Sequence, residues 1–412
     1  MMTSADYRQF ILPMSTPRIA NSHGLDPVTY SAPVLATERA IALKAAWKAL
    51  QDAPYVGVTH DGQVEEGLYQ LADEGFDPSP AVDAALAFLA CLDDDQRARV
   101  CHDIDAPQWR GWYNPELVFN TEGVRLETMT DAARDAFMQL IAACTSSRGY
   151  EKIRQLMKAN LFLGELYDLT NVMNEWSYHV LIYGAPSTST PWGFNFYGHH
   201  IGFNCLIIGR QMVISPTFMG TEPNDIALKS GECFAMFKAE ERKGLALMQS
   251  LPPKLQARAT IFKLMEDPAM PEWRFNFADQ RHLGGAFQDN RIVPVEGVCV
   301  AELDASQRAA LLDLCETFYE HWPDGPRAAR MAQIAAHLDR TWFSWIGGHG
   351  DNDPFYFHIH SPVVMLEFDH HSGMWLGNTE PAKFHIHVIS RLPNGNDYGK
   401  ALLAQWRASQ AG

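Results

Sequence analysis

No stretch of this chain approaches the roughly 18 consecutive apolar residues that cross a bilayer, so a membrane-spanning protein is not expected. Basic residues are in deficit. There are 33 Lys and Arg against 49 Asp and Glu, a formal charge of -16, and a field of that sign repels nucleic acid and anionic lipid, so neither is expected as a partner. Cysteine is sparse: Cys91, Cys101, Cys144, Cys205, Cys233, Cys299 and Cys315 are odd in number and form no C-x-x-C pair. They read as mostly buried thiols in a reducing, cytoplasmic compartment. The opening "MMTSADYRQFILPMSTPRIAN" has no basic segment followed by a long apolar one, so no signal peptide is expected. Signature motifs are missing as well. There is no G-x-G-x-x-G after a strand, no G-x-x-x-x-G-K-[ST] and no G-x-S-x-G, which removes dinucleotide, P-loop and serine-hydrolase chemistry; "NGNDYGK" has the wrong glycine spacing for a phosphate loop. No repeat at a fixed period and no low-complexity segment stands out.

What is present suits one large domain or two closely packed ones. Residues 1–175 read as mostly helical: "ATERAIALKAAWKAL" (36–50), "SPAVDAALAFLACL" (79–92), "TDAARDAFMQLIAAC" (130–144) and "YEKIRQLMKANLFLGEL" (150–166) carry apolar residues three and four apart. Several begin after Thr, Asp or Ser, which accept the free amide hydrogen bonds of a first helical turn. Near 176 the character changes. "SYHVLIYG", "WGFNFYGHH", "FNCLIIG" and "QMVISPTFMG" are short, β-branched or aromatic, and punctuated by Gly or Pro, as strands are. "IIGRQMVIS" reads as a hairpin about Gly209-Arg210. Further helices are expected from about 225 to 265 and from 304 to 339, then the strands "TWFSWIG", "PFYFHIH", "VVMLEFD" and "KFHIHVISR" and a last helix, "DYGKALLAQWRAS". The expected class is α+β, a helical half on a largely antiparallel sheet, with 176–412 carrying the chemistry.

Seven of the 16 histidines fall between His349 and His387. Residues two apart in a strand share a face, so His385, His387 and Arg391 are predicted on one side of a strand, and Tyr356, His358 and His360 on one side of another. Adjacent His-x-His strands converge neutral imidazoles, a ligand set for Zn first and for Fe, Mn or Cu as alternatives. Glu367 interrupts an apolar strand, and a buried carboxylate needs a cation, a donor or a proton. In one regular strand it would face away from His360, so a turn or bulge at Ser361-Pro362 is required. In "YGHHIGFN", His199 and His200 would point to opposite faces unless Gly198 and Gly202 permit a distortion. His370 and His371 read as turn residues and His349 as a loop residue; His23, His60, His102, His179, His282, His321 and His337 show no pattern.

"GFNFYGHHIGFN", "SPTFMGTEP", "HIHSPVVMLEFD" and "FHIHVISRLPNGNDYG" resemble, in order, the signature blocks of the bacterial and fungal domain-of-unknown-function family numbered thirty-five hundred. The N-terminal half of that family resembles "FLACLDDDQRARV", "GVRLETMTDAARDAFMQLI" and "SSRGYEKIRQLM", and the likeness runs from about residue 85 to the C-terminus. It implies a shared site at His199, His200, His360, Glu367, His385, His387, Arg391 and Asp397. The chain departs from the family at His358, usually arginine there, and at Phe384, usually asparagine. The resemblance implies no reaction.

The resulting expectation is an enzyme that hydrolyses a small organic substrate with a divalent ion held by His385, His387, His360 and His199 or His200. Glu367 is its expected ligand or general base, Arg391 an anion anchor or a structural partner of Asp397, and Trp192 and Tyr197, with Phe194 and Phe196, an apolar substrate wall. The alternatives are a non-haem iron or copper oxygenase of cupin-like chemistry and a non-enzymatic metal-binding protein.

Overall fold

Ser, Thr and Asp caps open four of the longer helices. The computed structural model describes residues 6–275 and 278–411. Helix α1 (Glu38–Asp52) starts where the Thr37 side chain accepts from the Ala40 amide, α3 (Asp131–Cys144) where Thr130 accepts from Ala133, and α4 (Ser147–Tyr167) where Ser146 accepts from Gly149. Between them lies α2 (Ser79–Ala90). Helix α3 buries Ala133, Phe137, Leu140, Ile141 and Cys144, one face at helical spacing. Later come α5 (Lys238–Ser250), α6 (Ala305–Tyr319) opened by a reciprocal Asp304–Gln307 cap, α7 (Asp324–Ala336) and α8 (Lys400–Gln410). The span 225–265 is not all helical: a two-stranded ribbon, Asp225–Ala227 against Cys233–Ala235, precedes α5, and Pro252 and Pro253 separate α5 from a short following helix.

Eight strands make the body of the sheet: β1 (Tyr178–Tyr183), β2 (Trp192–Gly198), β3 (Ile201–Ile208), β4 (Gln211–Thr221), β5 (Trp342–Gly347), β6 (Phe355–His360), β7 (Met365–His370) and β8 (Ile386–Arg391). Their order is β1-β2-β3-β4-β8-β7-β6-β5, every neighbouring pair antiparallel. The α+β expectation holds, and the hairpin at Gly209-Arg210 is present, with Ile208 opposite Gln211.

The order describes two four-stranded meanders that meet along β4 and β8, and each is built on the same plan. On the outer edge of β1, Val124–Arg125 pairs antiparallel and Cys101–His102 parallel; on the outer edge of β5, Val298–Cys299 pairs antiparallel and Thr260–Phe262 parallel. Each antiparallel edge piece leads through a single 3₁₀ turn into a capped helix, α3 or α6. Gly123 and Gly297 precede these pieces with φ of +67° and +88°, and at both a Cβ would strike a carbonyl oxygen of the neighbouring strand. The chain is therefore a tandem repeat that has no fixed period, because the connections differ: two residues join β3 to β4, whereas residues 371–385 join β7 to β8. The change of composition near 176 separates helices from strands within the first repeat.

Alternation sorts the two faces of the sheet. Trp192, Phe194 and Phe196 of β2, Phe355, Phe357 and Ile359 of β6, and Leu366 and Phe368 of β7 join the main apolar core with α2, α3, α4, α5 and α6. The opposite face carries Asn195, Tyr197, Asn204, His358, His360, Glu367, Asp369, His387 and Arg391, all buried beneath loops.

Candidate metal centre

A hairpin resolves the register of Glu367. The Ser361 amide donates to the Val364 carbonyl (2.8 Å), the chain reverses, and Glu367 lies directly opposite His358. Pairing then fixes rows across the polar face. Gly220, His387, Asp369 and Tyr356 form one row; Ile389, Glu367 and His358 the next; Arg391, Met365 and His360 a third. His360 is thus roughly 13 Å along the strands and 10 Å across them from His387, from strand rise and spacing. It contacts His358 (ring centroids 5.2 Å apart) and belongs to neither of the convergent groups below, so the structure does not bring this expected ligand together with His385 and His387.

His199 and His200 form the two-residue turn between β2 and β3, not strand positions. His200 has φ +62°, a left-handed conformation uncommon for a residue with a Cβ, and the two rings stack at 4.0 Å. The His200 amide donates to the Asn114 carbonyl (3.0 Å), and its own carbonyl accepts from Gly220 (2.9 Å). The ligand-capable atoms of His200, His385 and His387 lie within 4.8 Å of one another. Three of the five expected ligands are thereby brought together.

Neighbouring groups fix the ring tautomers. His385 Nδ1 faces the Ser372 carbonyl at 2.7 Å, an acceptor only, so Nδ1–H donates and the lone pair of the neutral ring sits on Nε2. That lone pair faces His387 Nε2 at 3.0 Å. Glu222 Oε2 lies 3.8 Å from His385 Nδ1, and its carboxylate accepts amides from Met374, Trp375 and Leu376. Asn160 donates through its amide nitrogen to the Asn174 carbonyl, so its oxygen faces His199, whose Nδ1–H donates at 2.8 Å. Orienting partners of this kind accompany metal-bound histidines. Burial pushes His200 and His387 well below the ordinary imidazole range and His199 down to about 4, so these rings are neutral at pH 7.

A second group converges on the other side of His387. It consists of His282, His371 and His387, again within 4.8 Å. The sequence points to neither His282 nor His371, since "FDHHSG" reads as a turn and His282 shows no pattern; Asp369 two residues before His371 is the one available signal. Arg281 Nε donates to Asp369 Oδ1 (2.7 Å), and although burial opposes the charge, this guanidinium holds the Asp369 carboxyl well below the usual range.

Glu367 and Arg391 clamp the loop that carries His282. Glu367 accepts the Leu283 amide (2.7 Å), the Gly284 amide (2.7 Å) and the Tyr356 hydroxyl (2.6 Å); burial opposes its charge, but His282 first, then His358 and the Tyr356 hydroxyl, hold its carboxyl well below the usual range. Arg391 donates to the Gly284 and Gly285 carbonyls (2.7 Å each) and to Asp289 (2.9 Å) and Asp397 (2.8 Å). A carboxylate so saturated is a poor base, and a guanidinium so engaged has little left for an anion. In this geometry Glu367 and Arg391 hold the His282 loop in position, and Arg391 pairs with Asp397, as one of its two expected readings had it. Trp192 faces the helix-covered core, opposite the histidines, with its indole N–H donated to Ser187, so it forms no substrate wall. Tyr197 shares the histidine face but stacks on His179 (5.1 Å) and donates to Asn120.

A different wall exists. A groove of about 670 Å³, lined mainly by apolar atoms of residues such as Tyr30, Trp47, Leu117, Phe119 and Met374, also has Asn114 and Glu116 in its lining. Asn114 is the residue that accepts from His200, and Met374 donates to Glu222 beside His385. Glu116 is paired with Arg18 (2.8 Å) and lies near enough to His199 to shift its titration.

A family model described as "Protein of unknown function (DUF3500)" matches residues 75–400. No curated protein and no solved structure matches the chain. All five convergent histidines lie inside the matched span, while Arg18, Tyr30 and Trp47 of the groove lie before it. Among the described residues no helix is long and apolar enough to cross a membrane.

Proposed function

The chain belongs to the DUF3500 family, and on that footing we propose that it is a metal-dependent hydrolase of a small, largely apolar organic substrate. The observation that carries the reading is the convergence of imidazoles from His200, His385 and His387, with Asn114, bonded to His200, lining the apolar groove. Three neutral nitrogen ligands with further positions open suit Zn above Fe, Mn or Cu, and an ion there supplies Lewis acidity and acidifies water. The residues themselves do the rest. Ser372 and Glu222 hold His385 in one tautomer, Trp47, Phe119 and Tyr30 receive an apolar or aromatic body, and the covering loops exclude bulk water from the rings. A cytoplasmic location belongs to the same proposal, supported by seven free thiols.

The test loads the metal-free full chain with zinc and assays small aryl and alkyl esters, lactones and amides. Zinc-dependent turnover that disappears in His385→Ala and His387→Ala, together with the bound ion, is the expected result. An ion held without turnover of any member of the panel overturns the hydrolase reading. Oxygen uptake with ferrous iron would put an oxygenase in its place, and an ion without either activity a metal-binding protein.

A further inference from the structure

Buried polar atoms almost always find partners, because an orphan costs roughly 1–3 kcal/mol. Around His387 several have none. His282 is fully buried with neither ring nitrogen bonded, its Nδ1 resting 3.7 Å from Glu367 Oε2. His387 Nδ1 is unpartnered while its Nε2 faces His385. His371 Nε2 and Asp369 Oδ2 lie 3.0 Å apart without the alignment of a hydrogen bond. A cation shared between them would satisfy both atoms. The rings of His282 and His371 stack with centroids 5.5 Å apart, and those of His282 and His387 at 5.9 Å.

We infer that the centre holds two divalent cations, the second bound by His282, His371 and His387 with Asp369 beside them. This extends the metal reading given above and rests on it for the first position. His387 belongs to both groups, with Nε2 turned to His385 and Nδ1 free for the second ion. With both positions filled, its ring is coordinated through both nitrogens and its one N–H proton leaves to solvent. Nothing is oxidised or reduced. The clamps now have a purpose: Glu367 fixes Leu283 and Gly284 immediately after His282, and Arg281 fixes Asp369 beside His371.

Cobalt(II) is the probe. The metal-free full chain is titrated with cobalt and desalted, bound ions are counted by plasma mass spectrometry, and magnetic coupling is read by electron paramagnetic resonance. Two coupled ions per wild-type chain are expected. One uncoupled ion is expected in His282→Gln, in His371→Gln and in His200→Gln. Circular dichroism checks each fold, and His371→Gln carries the test should His282→Gln not fold. A single wild-type ion that survives both His282→Gln and His371→Gln overturns the second position and leaves the first standing. A single ion that survives only His200→Gln overturns the paired centre and moves the site to the second group. A wild-type chain that retains no cobalt overturns both.

Discussion

Gly220 is the place where the metal reading can be tested without touching a ligand. It lies directly opposite His387 in the β4–β8 pairing, and its amide donates to the His200 carbonyl. A Cβ there would sit 2.7 Å from His387 Cδ2, 2.8 Å from His200 Cδ2 and 3.1 Å from the Ile386 carbonyl oxygen. Carbon atoms prefer about 3.5–4.0 Å, so in Gly220→Ala each ring must give way by about 0.8 Å or the strands must part. Overpacking of this kind costs about 1–3 kcal/mol. Metal–ligand distances tolerate only about 0.2 Å, so the effect on the ion is expected to exceed the effect on the fold, with zinc affinity falling about 10–100-fold. Competition of the metal-free protein against a chromophoric chelator gives the affinity, and urea unfolding of the same sample gives the stability. Wild-type zinc affinity in a folded Gly220→Ala chain would refute the assignment, because the two rings could not then be the pair that holds the ion.

Three further outcomes are expected. Glu367→Ala strands two buried amides and a hydroxyl, and the chain should lose about 3 kcal/mol or more of stability in urea, with Glu367→Gln losing less; an unchanged midpoint would show that the loop needs no clamp. Arg391→Met leaves Asp397 buried without its cation and Asp289 with Arg110 alone, and should cost about 3–5 kcal/mol, whereas a well-folded variant with altered turnover alone would return Arg391 to the substrate. His179 and His321, both remote from the convergent groups, are pushed down to about 3, chiefly by burial, with Arg125 and Lys152 adding to it. Their folded values lie below the unfolded value of about 6.5, so the stability they allow is complete above that pH and falls as pH drops toward 3. Between pH 7 and 5 the loss is about 2 kcal/mol per ring, and His321→Asn in the metal-free chain should shrink the pH slope of the urea midpoint; an unchanged slope would be decisive against it.

Periodicity and caps made the helices at 36–50, 79–92, 130–144 and 150–166 legible, because those signals are local. Strand positions were legible for the same reason, down to the Gly209-Arg210 hairpin. The centre was legible only in part. The two-residue spacing of His385 and His387 is a local fact, but the separation of His360 from them follows from strand order, which no local pattern contains. His282 and His371 join the site because Glu367, Arg391 and Arg281 pin one loop across the sheet, a contact between segments more than 80 residues apart. Glu367 itself was noticed for the right physical cause, an apolar strand holding a charge. The answer to that charge is a pair of backbone amides and a tyrosine.

The seam between the two meanders has a mechanical meaning. His200 comes from the first repeat and His385 and His387 from the second, so an ion in the first group is a rivet through the joint of β4 and β8. Whatever free energy it gains on binding is also cohesion between the repeats, and the same ion would report on the closure of that joint. A chain starved of metal should loosen there first, with protection of the amides in β4 and β8 falling before that of the helix-covered strands on either flank.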